Sequence, residues 1–256
     1  MSILQTLSRT IRYLVLPGAL LATNNAAANN STFELKLSLG GVWQSSNDIQ
    51  IPNDNEGTRF SLNEVTGSGP WPGVRLEGIW NVRDRHAIRV LLAPLNFSEV
   101  GIITEPVLFA GGTFSMDQAV TGEYRFNSWR LGYRYHLRAH DNWDLWIGGT
   151  LKVRDAEIKL TQNGASSSDD NVGFVPLLHL AGEYRFNSPL SISADLDGLA
   201  GGPGRAIDLG IGLNYQTTDT LRLGVEVRTL EGGADTDDVY NFAWFNSFLV
   251  TARYSL

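Results

Sequence analysis

The chain has 256 residues, a formal charge of −7 and no cysteine. That length holds one large domain or two small ones. The acidic balance excludes a general nucleic-acid binder, which carries a basic face. The missing cysteine excludes a disulfide scaffold, a thiolate metal site, a thiol nucleophile and a cysteine-linked lipid anchor.

The N-terminus is basic, with Arg9 and Arg12 and no acid before Glu34. A short apolar stretch from Tyr13 to Ala22 follows, and then Ala26-Ala27-Ala28. Basic region, apolar region and small-residue site in that order are the layout of an export signal. The apolar stretch is too short to cross a bilayer as a helix, which takes ~20 residues. Pro17-Gly18 would also interrupt a core helix. Residues 1–28 are therefore expected to be a cleavable signal peptide, and residues 29–256 the folded domain. No later stretch approaches the ~18 apolar residues of a membrane helix. A β-barrel stays open, because its strands place lipid-facing residues at every second position.

From residue 33 onward the chain alternates. Phe33, Leu35, Leu37 and Leu39 are interleaved with Glu34, Lys36 and Ser38. Val74, Leu76, Trp80 and Val82 follow with Arg75, Glu77 and Asn81 between them. Trp129, Leu131, Tyr133 and Tyr135 alternate with Arg130, Arg134 and His136, and Leu190, Ile192, Ala194 and Leu196 with Ser191, Ser193 and Asp195. Leu221, Leu223, Val225 and Val227 close the series against Arg222, Glu226 and Arg228. A strand sends such sets to opposite faces, whereas a helix scatters them. The runs have the length a tilted strand needs to span a membrane. A soluble β-sandwich alternates too, but aromatic residues near the strand ends, Trp43, Trp80, Trp129, Tyr215, Trp244 and Tyr254 among them, match what membrane interfaces select.

Tight polar turns at Arg83-Asp84-Arg85, Asn187-Ser188 and Thr217-Thr218-Asp219 contrast with longer Gly/Ser/Asp-rich stretches at 46–58, 162–171, 200–204 and 232–240. Short periplasmic turns and longer outer loops are the asymmetry of such barrels. With both ends periplasmic, the expected fold is an all-β, closed antiparallel transmembrane barrel of twelve strands. Their spans are 33–45, 73–82, 86–97, 101–112, 118–126, 129–138, 143–160, 172–186, 189–199, 205–216, 220–230 and 241–255. Ten strands is the alternative, because 98–120 is poorly patterned and Pro94 and Pro106 remove ladder donors. Gly-Glu-Tyr-Arg-Phe-Asn-Ser occurs twice, at 122–128 and 182–188, and the twelve-strand count puts the two copies at opposite ends.

On these features the sequence resembles the broad class of small single-chain outer-membrane barrels of Gram-negative bacteria. Its last segment, Phe248 to Leu256, resembles the terminal strand read by the barrel-assembly machinery in that class, with Tyr254 in place of a final aromatic residue. The resemblance implies outer-membrane location, contact with outer-membrane lipid and lipopolysaccharide, and assembly by that machinery. It implies no cofactor and names no functional residue.

The polar face carries charges of both signs. Arg130, Arg134, Arg154, Asp195, Asp197 and Arg222 are expected to line the lumen. The leading functional expectation is a porin-like channel or passive transporter for small polar solutes, with basic strands facing acidic ones across the bore. The alternative is a non-conducting structural or surface-binding barrel whose interior is filled by ion pairs. A third is a lipid-modifying enzyme with His179 as base near Asp195 and Asp197, joined by Ser191 or Ser193. No nucleophile-elbow or paired-histidine motif supports it. Asp235, Asp237 and Asp238 are candidates for a divalent cation, because carboxylates suit Ca²⁺ or Mg²⁺, although their spacing does not match an EF-hand loop.

Overall fold

A computed structural model of the chain describes residues 33–140, 142–202 and 204–256. The expected signal peptide, 1–28, lies outside the described residues, as does Pro203 in the turn at 200–204. In chain order the elements are β1 (Phe33–Gln50), β2 (Phe60–Ser61), α1 (Leu62–Thr66), β3 (Trp71–Arg83), β4 (His86–Ala93) and β5 (Asn96–Ile102). Then come β6 (Val107–Phe109), β7 (Gly112–Phe114), β8 (Ala119–His140), β9 (Trp143–Gln162), β10 (Ala165–Arg185), β11 (Leu190–Gly201), β12 (Gly204–Gln216), β13 (Leu221–Asp235) and β14 (Tyr240–Ser255).

Neighbours pair antiparallel in the order β14, β13, β12, β11, β10, β9, β8, β4, β3, β1, and β1 pairs back to β14. The sheet is therefore a closed barrel with no free lateral edge along most of its height. The terminal segment expected to carry the assembly signal is the strand that closes it. β5 continues the course of β4 along β8 beyond a break at Pro94, whose missing N–H cannot join the ladder. Counting that pair as one stave, the barrel has ten, and β2 and the β6–β7 hairpin are not staves of it.

The count of twelve strands is thus corrected to ten. The expected strand at 101–112 is instead the end of β5 plus part of the β6–β7 hairpin, which pairs only within itself. The expected strands 118–126 and 129–138 are one strand, β8. Here the two copies of the heptapeptide part ways. Asn127 and Ser128 stay in the ladder opposite Asp155 and Arg154, and Trp129 continues it. Asn187 and Ser188 are followed by Pro189, which cannot donate, and the strand ends. The stretch 162–171 is also no loop. β9 and β10 run on to a two-residue turn at Asn163-Gly164, whose φ values of 52° and 82° fit the turn type preferred by hairpins.

The outward positions form an apolar belt. At the end holding the short turns it carries Trp80, Trp143, Phe186, Tyr215 and Tyr254, and toward the other end Trp43, Phe174 and Trp244, with Leu, Val and Ile between. The inward positions carry buried Arg89, Arg130, Asp197, Asp208 and Arg228. A soluble protein does not expose an apolar surface of that extent, whereas a barrel in lipid requires it. No helix is long and apolar enough to cross a membrane, and the crossing is made by strands. This is an outer-membrane protein.

Candidate functional site

Two layers close the bore. At mid-height the inward charges of β3, β4 and β8 reach those of β11, β12 and β13. Asp197 accepts from Arg130 Nη1 at 2.6 Å, Arg89 Nη1 at 2.7 Å and Thr150 Oγ1 at 3.1 Å. Its other contact is His179 Nδ1, 2.7 Å away. Asp208 accepts from Arg130 Nη2 at 2.5 Å, Arg228 Nη1 at 2.5 Å and Arg75 Nη1 at 3.3 Å. Arg228 also reaches Asp195 at 2.7 Å and Glu226 at 2.9 Å, while Lys36 bonds Glu226 and Arg89 bonds Glu77. Five cations, Lys36, Arg75, Arg89, Arg130 and Arg228, are thereby balanced by five carboxylates, Glu77, Asp195, Asp197, Asp208 and Glu226. The side chains of Arg130 and Asp197 are each 1% exposed. Charges so deeply buried persist where they are paired and hydrogen-bonded.

Toward the outer end the bore is apolar. α1 and the β6–β7 hairpin fold into it and pack Leu62, Val65, Val107, Phe109 and Phe114 against Phe97, Tyr124, Leu160 and Phe245 of the wall. Rings of Trp71 and Phe97 stack with centroids 3.7 Å apart, and Tyr124 joins Phe97 at 5.2 Å and Phe245 at 5.5 Å. Gln44 donates to Thr66 Oγ1 at 2.7 Å and to the Gly67 carbonyl at 2.6 Å, which ties the helix to β1. Beside this plug remains a cavity of about 390 Å³, lined by Phe126, Lys152, Arg154, Leu230 and residues of β10 to β14. At the turn end lies a polar cavity of about 410 Å³, lined by Glu34, Arg134, Asp144, Glu183, Arg222 and Arg253 among others.

Each residue expected in the lumen does face inward. Arg130, Asp195 and Asp197 belong to the mid-height layer. Arg222 sits nearer the turn end and donates to both oxygens of Glu183, at 2.7 and 2.9 Å. Arg134 lies there too, its guanidinium 4.7 Å from the Trp146 ring centre. Arg154 lines the outer cavity. The expected opposition of basic and acidic walls is present, but the walls touch instead of facing each other across water. Glu123 and Arg125 of β8 are on the outer face, where Lys159 bonds Glu123 and Arg125 bonds Asp155 and Glu157.

His179 is 2% exposed and held inside the ion layer. Ser193 and Ser191 stand opposite Glu183 and Arg185, farther along β10 toward the turn end, and Ser193 accepts from Asn214 at 3.0 Å. Neither of these two serines is thus brought to His179. Asp235 accepts from Asn53 Nδ2 at 2.8 Å, which clips the first outer loop to the last. Among the described residues no three acids or histidines converge as a metal site, at Asp235, Asp237 and Asp238 or elsewhere.

Sequence reasoning missed the plug. Its signal was there: Ile49, Ile51, Phe60, Leu62 and Val65 put apolar side chains into a stretch otherwise composed like a loop.

No protein-family model matches the chain, and no curated protein matches it in sequence. Solved structures do match in fold. The outer membrane protease OmpT from Escherichia coli superposes with a TM-score of 0.57 at 10% identity, covering 92% of this chain and 100% of that one. Ail, the attachment invasion locus protein of Yersinia pestis, gives 0.40 at 12% identity, covering 88% and 99%. The translocator domain of the autotransporter NalP from Neisseria meningitidis gives 0.43 at 12% identity, covering 88% and 87%. At such identity the OmpT likeness concerns the fold alone, and the fold is that of the small single-chain outer-membrane barrels.

Proposed function

We propose that the protein is a sealed outer-membrane barrel that acts at its outer end and toward the surrounding lipid, and does not pass solutes along its axis. The observation that carries this reading is the balanced ion layer at mid-height. Arg130 bridges Asp197 and Asp208 at 2.6 and 2.5 Å, so the strands of opposite walls are joined by direct contacts. The apolar plug above it adds a second barrier of different chemistry. A solvated path would need charges separated by water, whereas these are desolvated and mutually satisfied. The partner chemistry this implies is lipid of the outer leaflet, lipopolysaccharide included.

A channel for small polar solutes remains the second reading, favoured by the polar cavity at the turn end, which would serve as its vestibule. Swelling of liposomes carrying the protein separates the two. A sealed barrel leaves the rate in arabinose or glycine equal to that of protein-free liposomes. Swelling that rises with protein content would overturn the sealed reading.

A further inference from the structure

The wall of the barrel has a notch. Pairing between β10 and β11 ends at Leu178 opposite Gly198. β11 continues to Gly201 and β10 extends back to Ala165, yet neither finds a partner in the other beyond that point. Pro176 lies on the stretch of β10 that pairs with β9 but has no partner in β11, a position suited to a residue without N–H. Phe174 and Pro176 point outward, and Phe174 is 70% exposed as part of the upper aromatic belt. Both nevertheless line the outer cavity, together with inward-facing Val175, Leu199 and Gly201. A cavity bounded by both faces of one strand passes that strand's edge, so this one opens sideways at the level of the membrane's outer interface.

The cavity's inner wall is cationic. Lys152 is 3% exposed and makes no ion pair or hydrogen bond among the described residues; its ammonium lies 4.4 Å from the Phe126 ring centre. The carboxylates beneath it are already saturated by the five cations of the ion layer. Arg154, one step farther out, has a buried Nε without partner and gives Nη2 to Asn171. Glu231, the one carboxylate among the lining residues, is held by Arg205 at 2.5 Å. An ammonium without a counter-charge on the wall of an apolar cavity calls for an anion.

We infer that this cavity binds a single-chain anionic amphiphile from the outer leaflet, its carboxylate or phosphate on Lys152 and Arg154 and its alkyl chain in the notch between β10 and β11. The volume is that of a small-molecule site. The inference rests on the sealed barrel, because an open bore would let water and ions satisfy Lys152. Gly201 lines the cavity, and a Cβ there meets nothing within 4 Å, so a larger side chain is accommodated beside the notch without displacing the wall.

The test is binding of cis-parinarate, a fluorescent polyene carboxylate, to the purified full chain in a detergent with an uncharged headgroup. Dodecanoate, dodecyl phosphate and dodecanol serve as competitors. Saturable binding is expected, displaced by dodecanoate or dodecyl phosphate, with the tighter of the two naming the headgroup. Dodecanol should compete about tenfold more weakly, the loss of roughly 1.4 kcal/mol. Lys152→Met should weaken the probe by a similar factor, Lys152→Arg should retain it, and Gly201→Phe, remote from the ion layer, should abolish it. Equal competition by dodecanol, or wild-type binding by both Lys152→Met and Gly201→Phe, overturns the assignment. Liposome swelling of the same preparation reads the sealed barrel separately. Tight liposomes without probe binding refute the lipid site alone, and swelling liposomes refute the reading beneath it.

Discussion

Asp197 is the most heavily used carboxylate of the interior, serving Arg89, Arg130, Thr150 and His179 at once. Replacing it leaves two buried guanidinium groups short of a partner. Asp197→Ala is expected to lower the unfolding free energy by roughly 3–5 kcal/mol, the scale for breaking a buried pair, read as a fall in the urea midpoint of the folded band on unheated gels. A midpoint within error of wild type would show that the layer is hydrated. At this scale the alternation located most charges correctly, because inward and outward sets follow from parity alone. What it could not supply was partnership. Arg130 and Asp197 are far apart in sequence, and whether they line water or bond each other depends on the diameter of the closed barrel. Lys152 shows the same limit, since nothing in Leu-Lys-Val-Arg reveals that one inward cation goes unmatched.

At the scale of elements, the plug is held by close approach. A Cβ on Gly101 would stand 2.2 Å from the Val65 carbonyl oxygen, so only glycine lets α1 pack there. Gly101→Val is expected to push α1 out of the bore and expose the first outer loop. Trypsin should then cut at Arg59, whose guanidinium in the native protein sits 3.6 Å over Tyr240. Resistance equal to wild type would mean the plug tolerates the side chain. The β9–β10 hairpin has a similar dependence on Gly164, with φ +82°. Gly164→Val is expected to cost about 1–2 kcal/mol of local stability and to raise amide exchange in 157–170 while leaving the membrane-level strands protected. The strand count failed at elements where local signals conflict with their context. Asn-Ser reads as a turn wherever it occurs, but only Pro189 makes it one. The segment at 101–112 alternates well enough to resemble a stave, yet it closes on itself because the β6–β7 turn at Ala110-Gly111, with φ of 48° and 78°, lets Phe109 pair with Gly112.

The whole molecule is an inverted protein: apolar outside, ion-paired at its centre and closed above by a small apolar core. The exterior was legible from sequence, because lipid imposes a strict period of two on every strand that crosses it. The interior was not, because nothing in that rule says whether ten staves enclose water or side chains. The direct measurement of that difference is single-channel recording of the purified protein in a planar bilayer. The ion layer and the plug predict a baseline indistinguishable from the lipid alone at high salt, from a preparation shown to be folded. Discrete steps whose size scales with salt concentration would mean that ions pass where Arg130 meets Asp197 and Asp208, and would contradict the sealed barrel.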